Sequence, residues 1–216
     1  MRFLSPVLIA MVVMVSGGTA ANADVELRVS GGISLNKIDY ITHPAWIKRD
    51  VSGNTGAYGS LRIVGPPGQP LRFESGTDIG TRGGSASLLN SDGTANASVK
   101  WNQVSLTIPL LLRFQPEGAG AFFKFGAGLD FLGIDRSLGG AKRAFDRGEP
   151  RSFDALLMAG IGTDARLFGA RVFLEAEGSI GMMNLESEDS QAALHNRTLR
   201  VGLGVVTNTK WLPSKE

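Results

Sequence analysis

Large apolar residues alternate with small or polar ones along most of this chain, and the alternation comes in eight blocks. They are 25–38, 57–64, 71–82, 98–114, 121–134, 152–166, 170–182 and 197–207. A period of two places successive side chains on opposite faces of an extended strand, so each block is read as a β-strand. In the fourth block Val104, Leu106, Ile108, Leu110, Leu112 and Phe114 share one face, and Gln103, Ser105, Thr107, Pro109, Leu111 and Arg113 share the other. In the last block Leu199, Val201, Leu203 and Val205 alternate with Arg200, Gly202 and Gly204. No helix is expected beyond the N-terminal segment.

The connections alternate as well. Short turns follow the second, fourth and sixth blocks: Gly65-Pro66-Pro67-Gly68-Gln69-Pro70, Gln115-Pro116-Glu117-Gly118-Ala119-Gly120 and Leu167-Phe168-Gly169. Long polar connections, 39–56, 83–97, 135–151 and 183–196, follow the others. Short turns at one end and long loops at the other are the habit of outer-membrane barrels, whose termini lie on the short-turn, periplasmic side. The fold expected is all-β: an eight-stranded antiparallel up-and-down transmembrane β-barrel with short periplasmic turns and long outer loops.

If the apolar face meets lipid, the other face fills the lumen. Leu27, Val29, Ile33, Leu35, Leu71, Phe73, Ile79, Phe123, Phe125, Leu129, Phe131, Val172, Leu174 and Ile180 are then expected outside. Inside are expected Glu26, Ser30, Ser34, Asn36 and Asp154, together with a network of charges: Arg28, Arg62, Arg72, Glu74, Asp78, Arg113, Lys124, Asp130, Asp164, Arg166, Arg171, Glu175, Glu177 and Arg200. An eight-stranded barrel has room inside for side chains alone, and a buried charge needs a partner. Both signs being present, the lumen is expected to be plugged by salt bridges. A lipocalin-like soluble barrel would turn its apolar side chains inward instead. Trp46, Tyr58, Trp101 and Trp211 fall near strand ends or in loops, as an aromatic girdle would.

The N-terminus changes where the chain is expected to go. Arg2, an apolar run 3–15, the small residues 16–20 and Ala21-Asn22-Ala23 read as a cleaved secretory signal peptide, 1–23. The barrel is then 24–207 and a short periplasmic tail 208–216. The absence of cysteine excludes a lipoprotein anchor, thiol chemistry and cysteine metal sites. A formal net charge of +2 with 19% charged residues gives no reason to expect nucleic acid as a partner. The 29 glycines, without a collagen period, suit close-packed strands and turns.

Several blocks carry recognisable runs: Val29-Ser30-Gly31-Gly32-Ile33-Ser34-Leu35-Asn36-Lys37-Ile38; 71–84; Val104-Ser105-Leu106-Thr107-Ile108-Pro109-Leu110-Leu111-Leu112-Arg113-Phe114; Phe125-Gly126-Ala127-Gly128-Leu129; 173–185; and 196–206. In these the mature chain resembles the PorT-like outer-membrane β-barrel family, small barrels of the OmpA/OmpX type. The I-P-L-L-L run before a basic and an aromatic residue is the most specific of them. The resemblance implies a fold and an outer-membrane location in a Gram-negative cell. It implies no catalytic residues, and a few such barrels are linked to secretion or gliding machinery. Barrels of this kind usually end on an aromatic residue. This chain departs from that by continuing to Trp211 and Glu216.

Candidate chemistry is sparse. The two histidines, His43 and His195, lie in expected outer loops, and the Glu186, Glu188, Asp189 and Ser190 that precede His195 are read as a solvated acidic loop. No metal-ligand spacing and no phosphate-cradling glycine loop is present. Catalytic, cofactor-binding and metal residues are therefore expected to be none, and no cofactor is expected. The basic residues Arg136, Lys142, Arg143, Arg147 and Arg151 suit lipopolysaccharide phosphates or an acidic partner. The partners expected are outer-membrane lipid and lipopolysaccharide, the barrel assembly machinery, and an extracellular or periplasmic protein of unidentified kind. The function expected is a non-enzymatic structural or binding platform. The alternatives are a narrow channel or small-solute pore, a secretion-associated component and a soluble periplasmic ligand-binding β-barrel.

Overall fold

The computed structural model describes residues 25–40, 48–89, 95–140, 152–183 and 194–209. Every element among them is a strand: β1 (Val25–Tyr40), β2 (Lys48–Val64), β3 (Leu71–Leu89), β4 (Ala95–Phe114), β5 (Ala121–Gly140), β6 (Phe153–Leu167), β7 (Ala170–Gly181) and β8 (Leu194–Thr209). Each pairs antiparallel with its sequence neighbours, and β8 closes on β1, giving a closed up-and-down barrel in chain order. Closure matters because it leaves no row of unpaired backbone groups at a sheet edge.

The register fixes the shape. Crossing the strands from Glu26 through Val64, Glu74, Leu111, Gly126, Met158, Ser179 and Thr198 returns to β1 at Asn36, ten residues further along. That stagger, on eight strands about 4.8 Å apart with a rise of about 3.3 Å per residue, tilts the strands by about 40° to the barrel axis. The interior is then narrow enough for side chains from opposite walls to touch.

The three short connections are turns whose residues suit their geometry. In Pro116-Glu117-Gly118-Ala119, Ala119 N donates to Pro116 O at 3.0 Å and Gly118 takes φ 74° at the third position, as a type II turn requires. The Phe168-Gly169 hairpin has positive φ at both residues, 50° and 82°, the combination that matches strand twist in a two-residue loop.

At the other end the strands run further than the apolar pattern alone indicates. β3 reaches Leu89, β4 starts at Ala95 and β5 reaches Gly140, so most of the connection 83–97 and the first part of 135–151 are themselves strand. The alternation of apolar and polar residues fades there, while the backbone ladder continues. A bulge between Gly53 and Tyr58 interrupts the pairing of β2 with β3. β8 ends at Thr209, two residues past the last alternating position. Residues 1–23, expected to be a signal peptide, residues 210–216, His43, Trp46, Trp211, and the basic and acidic segments 141–151 and 184–193 lie outside the described residues, as does the side chain of Trp101.

Candidate functional site: the charged lumen

The inner wall holds the charges and the outer wall the large apolar groups. Among the described residues seven cationic side chains are buried (Arg28, Arg62, Arg72, Arg82, Arg113, Lys124, Arg200) against seven anionic ones (Glu26, Glu74, Asp78, Asp130, Asp154, Glu175, Glu177). The equality matters because an unmatched charge in this low-dielectric space would be very costly.

Near the turns, Glu26 sits 3.0 Å from Arg72, 2.9 Å from Arg171 and 3.7 Å from Arg28. Asp164 bridges Arg28 at 2.7 Å and Arg113 at 3.3 Å. Gln115, reaching in from a turn, accepts from Arg72 and, at 3.2 Å, from Arg113, and donates to Ala119 O at 3.1 Å. The guanidiniums also stack on aromatic rings: Arg113 lies 3.4 Å over Phe122, and Arg28 3.9 Å over Phe173.

At mid-height the network is densest. Arg62 reaches three carboxylates: Asp78 at 2.5 Å, Glu177 at 2.7 Å and Glu74 at 2.9 Å. Lys124 also reaches three, Glu175 at 2.8 Å, Glu177 at 2.9 Å and Glu74 at 3.2 Å. Arg200 completes it through Asp78 at 2.9 Å. These contacts join β2, β3, β5, β7 and β8 across the lumen, so the space is filled from wall to wall. Ser60 Oγ donates to Asp78 at 2.7 Å, satisfying a further lone pair.

Towards the loop end the pairing thins. Arg82 bridges Asp130 at 2.8 Å, and Thr107 Oγ1 donates to Asp130 at 2.6 Å. Asp154 accepts from Met183 N at 3.0 Å. Above them Asn36 donates to Ser34 and Asn54 and accepts from Thr198, each at 3.2 Å.

The lumen residues expected from the sequence come together here, with one exception. Arg166 lies on the exposed turn end of β6, beside Arg171 in register, and takes no part in these ion pairs. At the last rows of a strand the lumen opens to solvent, so parity no longer implies burial. A second correction concerns Tyr58. It belongs to no girdle but points inward, buried beneath the Arg200 guanidinium at 5.3 Å. Its position in β2 shares parity with Ser60 and Arg62, and that parity outweighs its proximity to a strand end.

Arg82 was missed, although it shares parity with Asp78. Inward apolar residues were missed too: Val64, Phe122, Leu132, Leu156, Met158 and Phe173 are buried. Phe122 and Phe173 alternate in phase with Lys124 and Glu175, so parity was the signal that could have found them. Polarity alone hid them, because the lumen is a mixed core in which aromatic faces receive guanidiniums.

Among the described residues no group of acidic, histidine or cysteine side chains has the arrangement of a metal site. His195, expected in an outer loop, lies instead in β8, its Nδ1 3.0 Å from Gly181 O, because the ladder with β1 continues to Leu194.

No protein-family model matches the chain, and no curated sequence is significantly similar to it. Among solved structures it is similar to the outer membrane protein OprG from Pseudomonas aeruginosa, with 12% identity over 86% of this chain and 97% of that one and a TM-score of 0.49. Neisserial surface protein A is similar at 14% identity over 83% and 96%, with a TM-score of 0.42. The outer membrane protease OmpT from Escherichia coli is similar at 12% identity over 88% and 99%, with a TM-score of 0.45.

Proposed function

We propose that this chain is a non-enzymatic outer-membrane β-barrel that serves as a structural or binding platform through its extracellular loops, its lumen being plugged by charged side chains. The observation that carries this reading is the inverted distribution of polarity. Among the described residues 26 large hydrophobic side chains are exposed and nine are buried, while fourteen charged ones are buried. Ile161 and Leu203, each 62% exposed, are the most exposed of those on the strands. Soluble monomers rarely expose a contiguous apolar patch beyond a few hundred Å². A bilayer makes this wall the favourable one, and a closed barrel is one of the two structures that can span it with every backbone group paired. The inverted polarity also speaks against the soluble ligand carrier, which needs an apolar lumen.

The mid-height ion pairs favour a plug over a pore. A secretion-associated role and membership of the PorT-like barrels rest on the strand motifs, above all Ile108-Pro109-Leu110-Leu111-Leu112 before Arg113 and Phe114.

The test is electrophoresis of isolated outer membranes with and without boiling, joined to planar-bilayer recording of the purified protein. The expected result is a mobility shift on boiling, a need for detergent in extraction, and no steady single-channel current. A soluble protein without the shift overturns the membrane reading. Steady conductance overturns the plug and leaves the small-solute pore.

A further inference from the structure

The β6–β7 turn differs from the other two short connections. Residues 65–70 and 115–120 hold no large apolar side chain, whereas this turn is Leu167-Phe168-Gly169. Among the described residues Phe168 is the most exposed large hydrophobic side chain, at 99%, and Leu167 beside it is exposed too. Phe168 also takes φ 50°, in the left-handed region that favours Gly or Asn. A bare ring on a strained backbone gains nothing from water, so the outlier calls for a neighbour outside the barrel.

The register gives the level of this turn. With strands about 4.8 Å apart and a tilt of about 40°, each step from strand to strand along a pairing row climbs towards the loops by about 3 Å. The row Arg166, Arg171, Val206, Arg28 takes three such steps, so Arg166 lies about 9 Å nearer the periplasm than Arg28. Val25, the first apolar outward residue of β1, lies about 8 Å below Arg28. From Val25 to Leu35 the outward apolar residues of β1 climb about 25 Å, the height of a barrel's apolar band, so Val25 marks its periplasmic edge. Arg166 is thus just past that edge, and Leu167 and Phe168 stand about 4–7 Å beyond it. That is the headgroup layer, which occupies about 5–8 Å on each side of the hydrocarbon.

A cation stands at the same level. Arg166 is exposed and takes no part in the plug, while its register partner Arg171 serves Glu26 at 2.9 Å and Asp164 at 3.7 Å. Aromatic and aliphatic side chains beside an arginine are the composition of surfaces that bind anionic membrane interfaces.

We propose that the β6–β7 turn is a docking point for an anionic phospholipid of the periplasmic leaflet, with Leu167 and the Phe168 ring lying in the headgroup layer and the Arg166 guanidinium donating to the headgroup phosphate. The inference rests on the membrane reading and adds to it a lipid class and its seat. Moving the ring from water into the interface offsets the cost of its backbone, and the charge-assisted contact favours anionic headgroups over zwitterionic ones.

The experiment places the full-length protein in vesicles of phosphatidylcholine and, separately, of phosphatidylcholine mixed with phosphatidylglycerol. The chain has no cysteine, so Phe168→Cys carries a single nitroxide label, and Glu117→Cys in the polar β4–β5 turn carries a reference label. Collisions with oxygen, which concentrates in lipid, are compared with collisions with a water-soluble nickel chelate. The oxygen-to-nickel ratio at position 168 is expected to exceed that at 117 at least threefold and to rise further with phosphatidylglycerol, and Arg166→Gln should abolish that rise. The native ring is tested by urea unfolding: Phe168→Asn should unfold at lower urea than the wild type in the phosphatidylglycerol vesicles. Equal ratios at the two positions, no response to phosphatidylglycerol, a response that survives Arg166→Gln, or a Phe168→Asn midpoint at or above that of the wild type in those vesicles overturns the proposal. The boiling shift of each protein is recorded alongside. Its absence in the wild type sinks the membrane reading, whereas a normal shift with any of those results sinks this inference alone.

Discussion

Arg62 shows what a single buried side chain holds together. Its guanidinium reaches Asp78, Glu74 and Glu177, all buried. Replacing it with Met keeps the volume and removes one cation shared by three anions. Breaking such a pair costs about 3–5 kcal/mol, so the urea midpoint of the Arg62→Met barrel refolded in detergent should fall sharply. An unchanged midpoint would mean that Lys124 and Arg200 carry the compensation by themselves. Phe168 is a second informative residue. It is 99% exposed, and as a non-glycine residue it occupies φ 50°. The left-handed region costs such a residue about 1–2 kcal/mol, less for Asn. Phe168→Asn should therefore raise stability by up to about 1 kcal/mol, read as a later midpoint. A decrease would show that the Phe ring has a contact that compensates for its backbone.

The strands position the plug through pairs of large and small residues. The rings of Tyr58, Phe122 and Phe173 lie where side chains at Gly202, Gly162 and Gly204 would stand. Phe122 and Phe173 each fold over the glycine that is their register partner on the adjacent strand, Tyr58 reaches from β2 past β1 to β8, and Phe173 in turn carries Arg28. A valine at position 204 would collide with the Phe173 ring and with the backbone of β1. Overpacking of this kind costs about 1–3 kcal/mol. Gly204→Val should lower the unfolding midpoint, and less so in a Phe173→Leu background, where part of the collision is gone. Equal costs in the two backgrounds would place the strain in the β1 backbone rather than in the ring.

For the whole molecule, the ten-residue stagger of eight strands sets a diameter at which opposite walls meet. That is why Arg62 of β2 can reach Glu177 of β7 at 2.7 Å. A wider barrel would leave the same residues lining water, and the conductance experiment measures this difference directly. Closure also places β1 beside β8, and so brings Lys37 to Arg197, separated by almost the whole chain, into one row.

The sequence alone determined the number of strands, their alternation, the three short turns and the inward parity of residues such as Glu74, Asp78, Lys124 and Glu177. These follow from a local rule, that successive side chains of a strand point to opposite sides, so neighbouring residues suffice to read them. Tertiary structure decided the rest. Which cation meets which carboxylate depends on stagger and barrel radius, which no segment contains. Whether Arg166 is buried depends on where the lumen opens, and whether Tyr58 belongs to a girdle depends on its face and not on its distance from a strand end.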